Sequence, residues 1–374
     1  MKIVIFGLTI SSSWGNGHAT LWRGLCKALA RAHHEVVFFE RDVPYYAGAR
    51  DFYEMEYGEL ILYTEWRAVA ARAAKEIGEA DVAIVTSYCP DAVAASEVIF
   101  ESSRPVAVFY DLDTPVTLAR FTEGESIPYL GPRGLRDYDL VLSYTGGQAL
   151  TDLKERLGAK RVATLYGHVD PDVHRPTAPV DHYRAQLSYL GTYAADRQQA
   201  LEALFLKPAA ARPGQRFLIG GAQYPETFPW SSNIYFVRHL PPGEHAAFFS
   251  SSALTLNVTR SAMAQMGWCP SGRLFEAAAC GAAILSDHWR GLECFYTPDR
   301  EILIARETAD ALAAIDLGPD ALRAVGRAAR ERTLDEHTAA HRVTTLVKTL
   351  DEVMERRPRA IRNFAPLHHL SPEV

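Results

Sequence analysis

Short runs of β-branched and aromatic residues alternate along the chain with stretches of helical period. In the first half the strand candidates are "KIVIF" (2–6), "EVVFFE" (35–40), "DVAIVTS" (81–87), "PVAVFYD" (105–111), "LVLSY" (140–144) and "RVATLY" (161–166). Between the first two lies "GHATLWRGLCKALARA" (17–32), with Leu21, Leu25, Ala28 and Leu29 on one helical face. Strands that are apolar throughout and separated by helices predict a parallel sheet covered on both faces. The segment "GHVDPDVHRPTAPVDHYR" (167–184) breaks the rhythm. It has three prolines and no period, so it reads as a linker.

The alternation then restarts. Strand candidates are "LSYLG" (187–191), "RFLIGG" (216–221), "NIYFVRHL" (233–240), "ALTLNVT" (253–259), "AAILSD" (282–287) and "EILIAR" (301–306). Helical stretches include "DRQQALEALFL" (196–206), "PGEHAAFFSSS" (242–252) and "SGRLFEAAACG" (271–281). The span 320–357 predicts two helices, stopped by Pro358. The tail beyond it contains "FAPLHHL". The prediction is an α/β chain of two Rossmann-like, doubly wound domains with a cleft between them. They cover 1–175 and 176–350, and 351–374 forms the end of a last helix and a tail, which either packs back on the first domain or is disordered. Ligands of open α/β sheets bind at the carboxyl ends of the strands. The strand-to-helix loops of both halves are therefore the places to look.

Composition narrows the class only slightly. Of 374 residues, 48% are hydrophobic and 22% charged, as in ordinary globular chains. A net charge of −6 argues against a nucleic-acid or anionic-membrane binder. The five cysteines are odd in number and none is in C-x-x-C spacing, which fits reduced thiols in the cytoplasm. No apolar run reaches the ~18 residues of a membrane span.

Four loops carry candidate chemistry. In "GLTISSSWGNGHATL" (7–21), Gly15 and Gly17 precede a helix that His18 begins, where an anion or a close backbone contact is favoured. A dinucleotide site would want its G-x-G directly after the strand. Here it comes eight residues late, with Thr20 in the third glycine position, although Glu40 imitates the ribose-binding acid. His18 suits either a general base or a structural hydrogen bond. In "FYDLDTPVTL" (109–118), Asp111 and Asp113 suit capping of the turn, acceptor contact or a base, with a metal pair the least favoured. In "YLGTYAADR" (189–197), Gly191 and Thr192 offer donors to a phosphate, and Arg197 is either an added charge or a surface residue.

The fourth loop, "SGRLFEAAACGAAILSD" (271–287), places Ser271 as N-cap, Gly272 in the first turn and Gly281 as C-cap of a short helix. Arg273 faces an anion at its N-terminus. Glu276, one turn on, suits a vicinal diol such as ribose; the plain alternative is an Arg–Glu helix pair worth a few tenths of a kcal/mol.

This stretch, with "LTLNVTR" before it and "GLECFYTPDREILIA" after it, resembles the nucleotide-sugar site of GT-B glycosyltransferases, most of all the CgeB-like (spore maturation protein-like) branch. The resemblance covers most of the chain and is strong over 254–304. It implies that Glu276 holds ribose and Arg273 faces the diphosphate. With Gly191, Thr192, Arg260, Ser271 and Gly272 they would form the donor site. Acceptor contacts would come from Trp14, Gly15 and Gly17, and catalysis from His18 and Asp113. It implies a metal-independent transfer from a UDP-, GDP- or dTDP-sugar to a glycan, natural product or protein acceptor, with no cofactor beyond the co-substrate. Trp268 stands where many retaining relatives have a second glutamate, so stereochemistry stays open. A nucleotide-sugar epimerase and a catalytically silent nucleotide-sugar-binding protein remain as alternatives.

Overall fold

The computed structural model describes residues 1–15 and 17–357. Pro358 and the "FAPLHHL" tail lie outside the described residues. Seven parallel strands form the first sheet: β1 (Lys2–Gly7), β2 (Glu35–Arg41), β3 (Glu59–Tyr63), β4 (Val82–Thr86), β5 (Val106–Asp111), β6 (Leu140–Ser143) and β7 (Val162–Thr164). Their spatial order is β3-β2-β1-β4-β5-β6-β7. The central strands are buried along their length, as apolar runs covered on two faces must be. Val4 and Phe6 point into one core layer, and Ile3 and Ile5 into the other.

The sequence pattern does not single out β3. It is an edge strand, mostly half-buried, and its "ELILY" is too short to stand out beside the exposed turn before it.

The second sheet has six parallel strands: β8 (Ala185–Leu190), β9 (Phe217–Gly221), β10 (Ile234–Arg238), β11 (Ser252–Asn257), β12 (Ala283–Ser286) and β13 (Leu303–Ile304). Their order is β10-β9-β8-β11-β12-β13. Each sheet therefore reverses its winding once, between β1 and β4 and between β8 and β11. Loops leaving adjacent strands at such a point turn to opposite faces and open a crevice.

The predicted helix over 196–206 begins as a 3-10 turn (Ala195–Arg197), becomes α-helical at Gln198–Leu201 and widens to a π-turn at Glu202–Leu206. It ends as Lys207–Ala211. Pro208 has no N–H to continue the ladder, which accounts for the widening before it.

Two helices close the described chain, Pro319–Glu336 and Ala339–Arg356. The last carries Val343, Leu346, Leu350 and Val353 on one stripe. That stripe is buried in the first sheet's core against Ile3, Trp22 and Leu25, although it follows the second sheet in sequence. The chain thus passes between the two units twice, and the two passages are joined. Val169 N–H donates to the His337 carbonyl at 3.0 Å, and Ala339 N–H to the Val169 carbonyl at 2.9 Å.

Arg342 locks this crossing. Its Nε donates to the carbonyls of Tyr166 and Gly167, its Nη1 to that of Glu336, and its Nη2 to His337 Nδ1. Among the described residues no helix is long and apolar enough to cross a membrane, and the five cysteines are free thiols.

Candidate functional site

A cavity of about 350 Å³ lies between the carboxyl ends of the two sheets. The second sheet supplies its floor and the first sheet its opposite wall. The floor is built on the helix Gly272–Ala279. Gly281, at φ +74°, ends that helix, with Gly281 N–H bonded to the Ala278 carbonyl and Ala282 N–H to that of Ala277. These two bonds make a Schellman turn, so the predicted glycine cap holds. Ser271 occupies the N-cap position but its hydroxyl makes no capping bond. That differs from its expected role and leaves the first turn facing the cavity.

Arg273 and Glu276 do not pair with each other. Arg273 Nη1 donates to Asn257 Oδ1 at 3.2 Å, and its guanidinium lies 5.2 Å from the Tyr189 ring centroid. Among the described residues no carboxylate pairs with it, and burial lowers its pKa. Arg197 lies on the same wall. Its Nη1 donates to the Thr192 carbonyl at 3.1 Å, and its buried Nε has no partner among the described residues. Arg260 stands nearer the mouth, 3.4 Å from Asp196. Of the two readings of Arg197, the fold favours added charge in the cleft.

Gly191 lines the cavity, but not as a donor. Its N–H is taken by the Gly220 carbonyl at 2.8 Å. Its missing side chain is what counts, because a Cβ there would stand 2.9 Å from Arg273 Nη2 and 2.8 Å from the Tyr189 hydroxyl. The expected phosphate donation from this residue is corrected to clearance for the guanidinium. Thr192 and Gly272 also line the cavity.

Glu276 also lines the cavity. Burial alone would raise its pKa, but the His174 and His245 imidazoles and Arg273 outweigh it and hold the carboxyl down to about 2. His245 Nδ1 is 3.6 Å from Glu276 Oε2.

On the opposite wall, Gly17 precedes the helix His18–Arg31. His18 Nε2 and Asp113 Oδ2 are 3.1 Å apart, so two residues 95 apart in sequence form one pair at the cavity. Asp113 begins the helix Thr114–Thr122 without a side-chain cap bond. Asp111 is completely buried. Its Oδ1 accepts from Asp113 N–H and from the Thr117 hydroxyl, and burial, with the Asp113 charge added, raises its pKa to about 7. The two aspartates thus have separate tasks, one fixing the turn and the other facing the cleft, which disfavours a metal pair.

Glu40 does not face the cavity as a ribose acid would. It is buried and accepts from Thr9 Oγ1, Ile10 N–H, Ser11 N–H and Ser11 Oγ, holding the first loop in shape. Gly15, at φ +67°, lines the cavity. Trp14 does not line it. Its ring packs 4.6 Å from that of His239, joining the two lips. Gln223 Nε2 makes a second bridge to the Tyr45 hydroxyl at 3.1 Å.

Sequence reasoning missed several cavity residues. His245 and His168 line it, and the buried Asn257 and Tyr189 hold Arg273 from behind; strand ends, a loop and a helix whose motifs carry no chemical signature bring them in. Trp268 turns away from the cavity. Its ring packs beside Gly147 and Gly291, where a Cβ at either glycine would come within 2.5 Å, and the Arg290 guanidinium covers it at 4.6 Å.

Residues 197–348 match a glycosyl transferase-like family. No curated protein matches the chain. Among solved structures, sucrose-phosphate synthase from Thermosynechococcus elongatus is similar at TM-score 0.66 and 14% identity, covering 95% of this chain and 100% of that one. Anabaena HepE, solved with UDP and glucose, is similar at TM-score 0.66 and 13% identity, covering 94% and 100%. An alpha-glucosyltransferase solved with UDP and a 13-mer DNA is similar at 0.66 and 12%, covering 94% and 99%. These likenesses establish the fold as GT-B, two parallel-sheet α/β units around a cleft.

Proposed function

We propose that this protein is a nucleotide-sugar-dependent glycosyltransferase, with the donor on the second unit and the acceptor against the first. One observation carries the reading: Arg273 is half-buried beside Arg197, at the head of a helix whose N-terminus faces the same space, and among the described residues no carboxylate forms an ion pair with it. Two cations held close together with little solvent around them are costly. A diphosphate would satisfy both guanidiniums and the helix N-terminus together. Glu276, kept ionised one turn along, then accepts from a ribose diol.

In the reaction the acceptor oxygen bonds to the anomeric carbon as that carbon's bond to the diphosphate oxygen breaks. The acceptor proton passes to a base, and the electron pair leaves with the diphosphate. Arg273, Arg197 and the helix dipole stabilise the departing charge. His18, oriented by Asp113, is the group on the acceptor wall able to take the proton. The matched glycosyl transferase-like segment contains Arg197, Arg260, Arg273 and Glu276, in keeping with a donor site there. UDP is the first nucleotide to test, because HepE and the alpha-glucosyltransferase were solved with it.

The test is calorimetry with free UDP, GDP and dTDP on the wild type and on Glu276→Ala. Loss of charge-assisted hydrogen bonds costs about 1.5–3 kcal/mol, so affinity should fall roughly 10- to 150-fold in a folded variant. Unchanged affinity would remove Glu276 from the nucleotide site.

A further inference from the structure

Beside the cleft, where Glu276 and His245 line it, stands a group of ligands that the donor reading does not use fully. His174 comes from the segment linking the two units, His245 from the helix Pro242–Ser251, and Glu276 from the helix Gly272–Ala279. One ligand atom from each lies within 4.8 Å of the other two. His245 Nε2 is 3.3 Å from the Leu240 carbonyl, which can only accept, so Nε2 carries the proton. In the neutral ring the Nδ1 lone pair then faces the Glu276 carboxylate at 3.6 Å. Two lone-pair groups opposed in this way are bridged either by a second proton on the ring or by a metal cation. His174 is 1% exposed, and neither of its ring nitrogens has a hydrogen-bond partner among the described residues. A buried imidazole without partners is costly, and here it stands beside the other two ligands.

We propose that His174, His245 and Glu276 bind a divalent transition metal of the zinc type, and that this metal competes with the nucleotide for Glu276. Two imidazoles and one carboxylate are a zinc ligand set that leaves an open position. Magnesium and calcium prefer oxygen ligands and are poorly matched. Metal–ligand bonds of about 2.0–2.2 Å require the three side chains to draw together by roughly an ångström, which side-chain rotation supplies. Metal binding is independent of the proposed activity. The competition rests on the reading of Glu276 as the ribose acceptor.

The experiment uses the full chain, freed of metal by chelator and dialysis. Zn²⁺ is titrated by calorimetry and Co²⁺ by visible absorption, in the wild type, His174→Ala and His174→Gln, each checked for folding by circular dichroism. The expected result is one strong site with the intense visible bands of low-coordinate Co²⁺. In both variants affinity should fall by more than about 100-fold, since even outer partners of metal ligands are worth about 10–100-fold. Absence of a strong site in the wild type overturns the proposal, and so does equal affinity in a folded His174 variant. The second arm measures the thermal shift given by UDP with and without Zn²⁺. Zn²⁺ should diminish that shift in the wild type and leave it unchanged in the variants. Zn²⁺ bound at the three residues with the UDP shift intact would sink the competition and the ribose role of Glu276, while the metal site stands. A UDP shift with no Zn²⁺ binding would sink the metal site and leave the donor reading in place.

Discussion

At the scale of single residues, the cleft sets the arginines on one wall and the His18–Asp113 pair on the other. Arg273 is fixed by Asn257 and by the Tyr189 face, so its position does not depend on the ligand. His18 is fixed by Asp113 across 95 positions of sequence. His18→Ala should therefore cut acceptor-dependent turnover by about 10²–10⁴-fold if it takes the proton, with UDP affinity nearly unchanged. Turnover and calorimetry on the same variant decide it, and near-normal turnover would reject the role. On the proposed reading, in which guanidiniums and a helix N-terminus offset the diphosphate charge, turnover should survive EDTA. Complete loss with chelator, restored by Mg²⁺ or Mn²⁺, would show that a cation shares that task.

At the scale of elements, the donor helix is held from behind. The helix Pro319–Glu336 approaches its C-terminal turn at Gly326, where a Cβ would stand 2.3 Å from the Gly281 carbonyl oxygen. The clash is with backbone, which cannot rotate away. Gly326→Ala should therefore cost about 1–3 kcal/mol, as overpacking does. It should also weaken UDP binding, because relief of the clash tilts the helix that carries Arg273 and Glu276. Urea unfolding and calorimetry measure the two effects, and a variant as stable as the wild type would show that the helices are not packed this tightly. Trp268 works similarly between units. It has a positive φ of 44°, rare for a bulky residue, and fills the space left by Gly147 and Gly291.

At the scale of the whole molecule, the two units are joined by a double crossing whose polar groups are buried. His337 Nδ1 must accept from Arg342, and its Nε2 lies 3.4 Å from the Phe295 carbonyl, so the ring is held neutral. Burial first, and then the Arg342 charge, lower its pKa to about 3; the same causes lower His168 to about 4. Both folded values lie below the ordinary 6.5. Their contribution to stability is complete above pH 6.5 and is lost as pH falls towards 4 and 3. Asp111 acts oppositely over much of this range. Raised from 3.8 to about 7, its contribution is complete below 3.8 and lost as pH rises through 7. The sum is therefore less informative than a difference. His337→Gln should lower stability at pH 7.5 and narrow the gap from the wild type as pH falls to 4.5. Parallel stability–pH curves for the two proteins would rule the histidine out as a source of acid sensitivity.

The sequence by itself determined the α/β alternation, its restart after the proline-rich segment, and the chemistry of the Ser271–Gly281 stretch. These are local signals: β-branched runs, helical period, and an arginine and glutamate one turn apart between a serine and a glycine. It also showed that the first loop does not fit a dinucleotide fingerprint, since the glycine spacing is wrong. Tertiary structure alone decided the pairings. That Arg197 joins Arg273, that His18 meets Asp113, and that Glu40 turns inward to hold the first loop all follow from strand order and burial, which bring distant positions together. The last helix shows the limit most plainly. Its apolar stripe at Val343, Leu346, Leu350 and Val353 says that it must bury a face, but any apolar surface satisfies that need. The expected return of the chain's end to the first domain did not follow from that stripe, and the hydrogen-bonded crossing at Val169 and Arg342 is what lays the whole helix on the first sheet's core.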